Sequence, residues 1–225
     1  IIATEPKEIM SDDISSDDAT ADGSSNVATQ ASTSYVLKST SSETSATSGF
    51  LGNTNIQRQN IGEVNITNFL DGSSKMRADG SWDVSEANNG SIMTYYFNNS
   101  YINVYIVGDN IYANPDSSYL FAYIGYNGSS NDGNNIIQGL DNLNTSEVTN
   151  MSHMFYNYGY NGATILDLGE NFDTRNVIDM NAMFANCGYE KMQYLNLGDK
   201  FDTSNVTDME SMFNGTGFMA MTELD

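Results

Sequence analysis

LNTSEVTNMSHMF (Leu143–Phe155), FDTRNVIDMNAMF (Phe172–Phe184) and FDTSNVTDMESMF (Phe201–Phe213) are three versions of one string. Their closing phenylalanines, Phe155, Phe184 and Phe213, stand 29 residues apart in both intervals. A strict period of that size marks an architecture in which no unit can bury its own apolar face, so neighbours must stack. The expectation for residues 136–225 is therefore a solenoid of strand, corner and short helix.

Aligned without a gap, Ala163–Lys191 and Met192–Ala220 share 13 of 29 positions, and the identities fall where packing needs them. Leu166 and Leu168, matched by Leu195 and Leu197, alternate as the inward residues of a short strand do. Val177, Met180, Met183 and Phe184, matched by Val206, Met209, Met212 and Phe213, fit one face of a short helix. Asn176 and Asn205 suit its N-cap, and Asp179 and Asp208 its first turn. Gly159, Gly188 and Gly217 suit a left-handed helix end, followed by Tyr160, Tyr189 and Phe218. The Met and Phe columns read as core. The Asp173/Asp202 and Thr174/Thr203 columns satisfy corner backbone groups or, alternatively, form a calcium ladder; the glycine-rich nonapeptide of calcium-binding β-rolls is absent.

LDLGENFDTRNVIDMNAMF and LNLGDKFDTSNVTDMESMF resemble the repeat of BspA-type leucine-rich-repeat surface proteins of bacteria. GSWDVS (Gly80–Ser85), GSIMTYY (Gly90–Tyr96) and YANPDSSYLF (Tyr112–Phe121) are similar, more weakly, to the region preceding such repeats. The resemblance implies a leucine-rich-repeat-like solenoid, export to the cell surface, and adhesion to a host matrix protein, a cell-surface protein or a glycan. The first repeat departs from the pattern at Glu147 and at Gly139, where an inward leucine is expected.

A formal charge of −21 with only 8 Lys and Arg excludes nucleic acid, whose phosphates need cations, and disfavours docking on anionic lipid. Cys187, the single cysteine, reads as a small buried filler. His153, the single histidine, falls in an outward column. No Ser-His-Asp, Cys-His or HExxH arrangement occurs, so the reading is a non-enzyme without cofactor or metal. Trp82 reads as a core anchor before a sugar platform. No signal peptide, membrane span or wall-sorting motif is visible, and the ends Ile1 and Glu223-Leu224-Asp225 look like cuts in a longer exported protein.

Three regions follow. Residues 1–48 read as a disordered spacer, since 18 of the 38 residues from Ser11 to Ser48 are Ser or Thr and such a stretch buries too little to offset its ordering entropy. Residues 49–135 read as a small β-rich cap of short apolar runs between turn signals, with a short helix beginning at Asn114-Pro115. Residues 136–225 hold the repeats, so the class is α+β. The candidate binding face is the outward row of the repeat strands: Ile136 and Gln138, Ile165 and Asp167, Tyr194 and Asn196, Glu223 and Asp225. These positions vary while the inward leucines persist, and Tyr194 is of a type favoured at binding hot spots. The function expected is an extracellular surface adhesin or binding module. A structural stalk, or an accessory region of a larger extracellular enzyme, is the alternative.

Overall fold

The alternating run IGEVNIT (Ile61–Thr67) buries Ile61, Val64 and Ile66 and organises the first half of the protein. The computed structural model describes residues 35–128 and 135–225. The elements in order are β1 (Gly49–Phe50), β2 (Asn53–Gln57), β3 (Ile61–Thr67), the helix α1 (Gly72–Arg77), β4 (Gly80–Asp83), β5 (Met93–Asn98), β6 (Ile102–Val107) and β7 (Ile111–Tyr112). Then come β8 (Ile137–Gln138), β9 (Leu143–Asn144), β10 (Ile165–Asp167), β11 (Tyr194–Asn196) and β12 (Glu223–Leu224).

Four small sheets result among the described residues. The largest has the order β4-β5-β6-β3-β8, with β3 parallel to both β6 and β8. β7 pairs with β9, and β10-β11-β12 form a parallel sheet. One apolar core runs through them, from Leu37 and Phe50 to Leu195 and Met212.

The α+β leucine-rich-repeat-like solenoid expected from the period is not the architecture found, which is small sheets joined by turns. Among the described residues the only α-helix is α1, capped by Asp71 (whose carboxylate accepts from Ser73 and Ser74 N–H) and lying outside the repeats. Residues expected to form the repeat helix are instead strings of turns. The reason lies in where alternate N–H groups go. Met183, Ala185 and Cys187 N–H donate three residues back, to Met180, Ala182 and Phe184. Met180, Ala182, Phe184 and Asn186 N–H leave the segment altogether and donate to the carbonyls of Asp208, Glu210, Met212 and Asn214. An α-helix would keep all of these inside. The turn string needs left-handed residues, and Ala182 (φ 51) and Asn186 (φ 56) supply them, as His153 and Asn157 do one repeat earlier.

The expected helix start is likewise a cross-tie. Asn176 Nδ2 donates to the carbonyl of Ser146 at 2.8 Å and Asn205 Nδ2 to that of Arg175 at 2.7 Å. No helix forms at Asn114 either; its Oδ1 accepts Asp116 N–H in a local turn.

Repeat segments nevertheless face one another at the 29-residue offset. Leu166 pairs with Leu195, and the rings of Phe155, Phe184 and Phe213 stack with centroids 5.4 Å apart. Leu166, Leu168, Val177, Met180, Met183 and Phe184 are all fully buried. In the last segment Met209 and Phe213 are 47% and 39% exposed, so the burial expected there is not reached.

Within the turn strings (117–123, 151–157 and 180–186) the hydrogen bonds between segments run from N–H of one to C=O of the next, while Thr149, Ile178 and Gly188 N–H, flanking the strings, donate the other way, to Pro115, Thr149 and Tyr158. At the first segment the carbonyls of Asp116, Ser118, Leu120 and Ala122 occupy the acceptor positions. Side chains cover all four: Ser39 Oγ donates to Asp116, Thr40 Oγ1 to Ser118, and Arg58 Nη1 to Leu120 and Ala122. Arg58 is fully buried and paired with Glu43, whose carboxylate also accepts Leu51 and Gly52 N–H. At the other end, Met209, Ser211, Phe213 and Gly215 N–H have no partner among the described residues.

The expected spacer therefore needs a shorter boundary. Residues 1–34 lie outside the described residues, but residues 35–48 carry Leu37 and Thr40, both buried, and bridge to Tyr112 and Ser85.

Candidate recognition surface

In β10–β12 the inward Leu166 and Leu195 are buried, which leaves residues 165, 167, 194, 196, 223 and 225 facing outward. The first outward column is Ile165, Tyr194 and Glu223, in register across the sheet. Ile165 and Tyr194 are half-buried, and Glu223 is exposed. Contact with the sheet, and then the carboxylates of Asp225, Asp167 and Glu223, push the Tyr194 phenol above its ordinary range.

The second outward column has structural duties. Asp167 Oδ1 accepts Gly169 N–H at 2.9 Å and Asn196 Nδ2 at 3.0 Å, while Asn196 Oδ1 accepts Gly198 N–H at 2.9 Å. Both glycines are left-handed, φ 76 and 78, so this side-chain ladder fixes the turn that ends each strand.

Ile136 and Gln138 do not join the row. The strand that holds Gln138 and follows Ile136, β8, pairs with β3 and not with β10. Ile136 is fully buried, its carbonyl accepting Val64 N–H, and it leaves the candidate face. Gln138 is exposed, and a cleft of about 180 Å³ brings it together with Asp141 and Asp167.

Asp141 also lines a second, larger groove of about 440 Å³ that the sequence reading missed. Its floor is the β7–β9 pair, and its walls carry Asn68, Asn110, Asp141, Asn142, Asn171, Asp173 and Lys200. Asn142 Nδ2 donates to the carbonyl of Ile66, and Lys200 Nζ to Asn171 Oδ1 at 3.1 Å. The Arg175 guanidinium grips Asp173 and holds its carboxyl below the usual carboxylate range. The Thr174 column is tied to backbone, its Oγ1 donating to the Asp202 carbonyl. No group of three or more His, Cys, Asp or Glu among the described residues is placed to hold a metal ion.

The residues after the glycines form an aromatic ladder, Tyr126–Tyr160–Tyr189–Phe218, with centroids 5.2, 4.9 and 5.3 Å apart. Ring faces are spent on one another, so the ladder stiffens the edge without offering open platforms. His153, expected on the surface, is half-buried and stacks on Tyr119 at 4.6 Å. Trp82 packs against the core, its Nε1 donating to the Leu51 carbonyl. Cys187 is fully buried, which pushes its thiol well above the ordinary range.

Residues 126–222 match one family. Its description is "Mycoplasma protein of unknown function, DUF285", and the match covers just under half of the chain. The BspA-type leucine-rich-repeat resemblance is corrected by this match, which falls on the same repeats. No curated protein and no solved structure matches the chain. Among the described residues no helix is long and apolar enough to cross a membrane.

Proposed function

We propose that this chain is a non-enzymatic recognition module that works outside the cell and binds a matrix protein, a surface protein or a glycan through the outward face of β10–β12. The observation that carries the reading is the Ile165–Tyr194–Glu223 column. Three different side chains stand in register on one sheet whose inward leucines repeat. A constant scaffold under a varied face suits recognition, and a half-exposed tyrosine is a typical anchor. The low number of cations and the acidic surface suit a soluble exported protein.

The test is Tyr194→Ala, assayed against a panel of matrix proteins and glycans, with Glu210→Gln as control. Asn196 is left intact because its amide holds the strand end. The expected result is at least about tenfold weaker binding, with an unchanged melting temperature. Equal binding by Tyr194→Ala and the parent would refute the face.

A further inference from the structure

We propose that the groove floored by the β7–β9 pair is a binding site for a neutral oligosaccharide, a second site that goes beyond the β10–β12 face of the recognition reading above. The first support is its layout. Asn110, Asn142, Asn171 and Lys200 each immediately precede the apolar corner residue of a successive segment: Ile111, Leu143, Phe172 and Phe201. Ile111 and Leu143 pair directly across β7 and β9, and Asn142, Asn171 and Lys200 follow at the 29-residue offset. The groove thus offers one polar side chain per segment along the stacking direction, which suits a linear ligand with polar groups in every unit.

The second support is unused hydrogen-bonding capacity. The side chains of Asn68, Asn110 and Asp141 make no hydrogen bond among the described residues, and Lys200 Nζ uses one donor, on Asn171. Amides both donate and accept, carboxylate only accepts and ammonium only donates. That mixture matches hydroxyl groups, which do both. A volume of about 440 Å³ lies within the span of small-ligand sites.

Other ligand classes fit less well. A polyanion would meet Asp141 and Asp173 beside the one lysine in a chain of net charge −21. An apolar ligand would desolvate a wall of amides and carboxylates. A peptide added as a strand needs a free edge, but β7 is paired by β9 on one side and by the Val36–Tyr112 bridge on the other. Beyond β9, Thr145 Oγ1 is tied to the Asp173 backbone.

Gly169 is needed beside the site. Asp141 Oδ1 lies 2.5 Å from where its Cβ would stand, and its φ of 76 favours glycine.

The experiment screens the full chain on an array of neutral oligosaccharides built from hexoses and N-acetylhexosamines. It is run in parallel with Asn68→Ala/Asp141→Ala, Lys200→Gln and Tyr194→Ala, and melting temperatures verify folding. At least one glycan should be retained, with tenfold or greater loss in the double variant and in Lys200→Gln at unchanged melting temperature. Retention of no neutral glycan, or glycan binding that both groove variants keep, overturns the groove assignment. Binding only to peptides or proteins does so as well. In each case, binding to a matrix protein or glycan that Tyr194→Ala removes leaves the recognition reading standing, so the two failures are separable.

Discussion

Replacing Arg58 by Met should be among the most damaging single changes available to this protein. The side chain is fully buried, and its Nη1 serves the carbonyls of Tyr119 (2.6 Å), Leu120 (3.1 Å) and Ala122 (3.3 Å), while Nε serves Gly49 (3.1 Å). Burial pulls the guanidinium pKa down and the Glu43 carboxylate works against that; an arginine remains charged regardless. Methionine matches much of the volume, so the packing loss is small and the polar loss dominates. Stranding the carboxylate of a buried pair costs about 3–5 kcal/mol. Each dry unpaired carbonyl adds roughly 1–3 kcal/mol, less wherever water enters.

A loss of at least about 5 kcal/mol follows, comparable to the whole stability of many domains. The assay is urea unfolding of the parent, Arg58→Met, Glu43→Gln and the double variant. Glu43→Gln alone should cost less than Arg58→Met, because the arginine keeps its carbonyls. The double variant should recover about 1–3 kcal/mol relative to the sum of the singles. A loss below about 1.5 kcal/mol for Arg58→Met would refute the argument that this arginine seals the carbonyl end.

Phe184→Ala should cost about 3–5 kcal/mol, as expected for a fully buried ring, and Phe213→Ala clearly less, since that ring is 39% exposed; equal losses in urea melts would contradict the burial gradient. Partial burial lowers the His153 pKa, with Asp179 opposing. The unfolded chain therefore binds the proton more readily than the folded one, and the histidine weakens the fold as pH falls below about 6.5 and not above it. His153→Asn, which tolerates the φ of 58, should narrow the drop in urea midpoint between neutral pH and pH 5, and an unchanged drop would assign it to other groups.

Much of the packing was legible because a period states which residues must meet. Leu166 opposite Leu195 and Phe184 against Phe213 need only the 29-residue offset. The helix was misread for a physical reason. Burial of Val177, Met180, Met183 and Phe184 is compatible with a helix face or with a string of turns. What separates the two is the destination of alternate N–H groups and the left-handed backbone of Ala182 and Ser211, residues that carry no turn signal. The site was partly legible: the column at Tyr194 could be placed by alternation alone. That Asn196 spends its amide on Asp167 and Gly198, and that β8 leaves the row for β3, depends on partners distant in sequence. Arg58 gave no signal at all, since the carbonyls it caps lie about sixty residues away.

The shared direction of the bonds inside the turn strings has an electrostatic consequence. Peptide groups aligned head to tail add their dipoles, as they do in a helix, leaving partial negative charge where carbonyls end and partial positive charge where N–H groups end. Here the negative pole lies at Leu120 and Ala122, and the guanidinium of Arg58 is set against it. Side-chain charge and backbone dipole therefore oppose each other at that pole, so a buried cation in a strongly acidic protein serves as counter-charge to its own main chain.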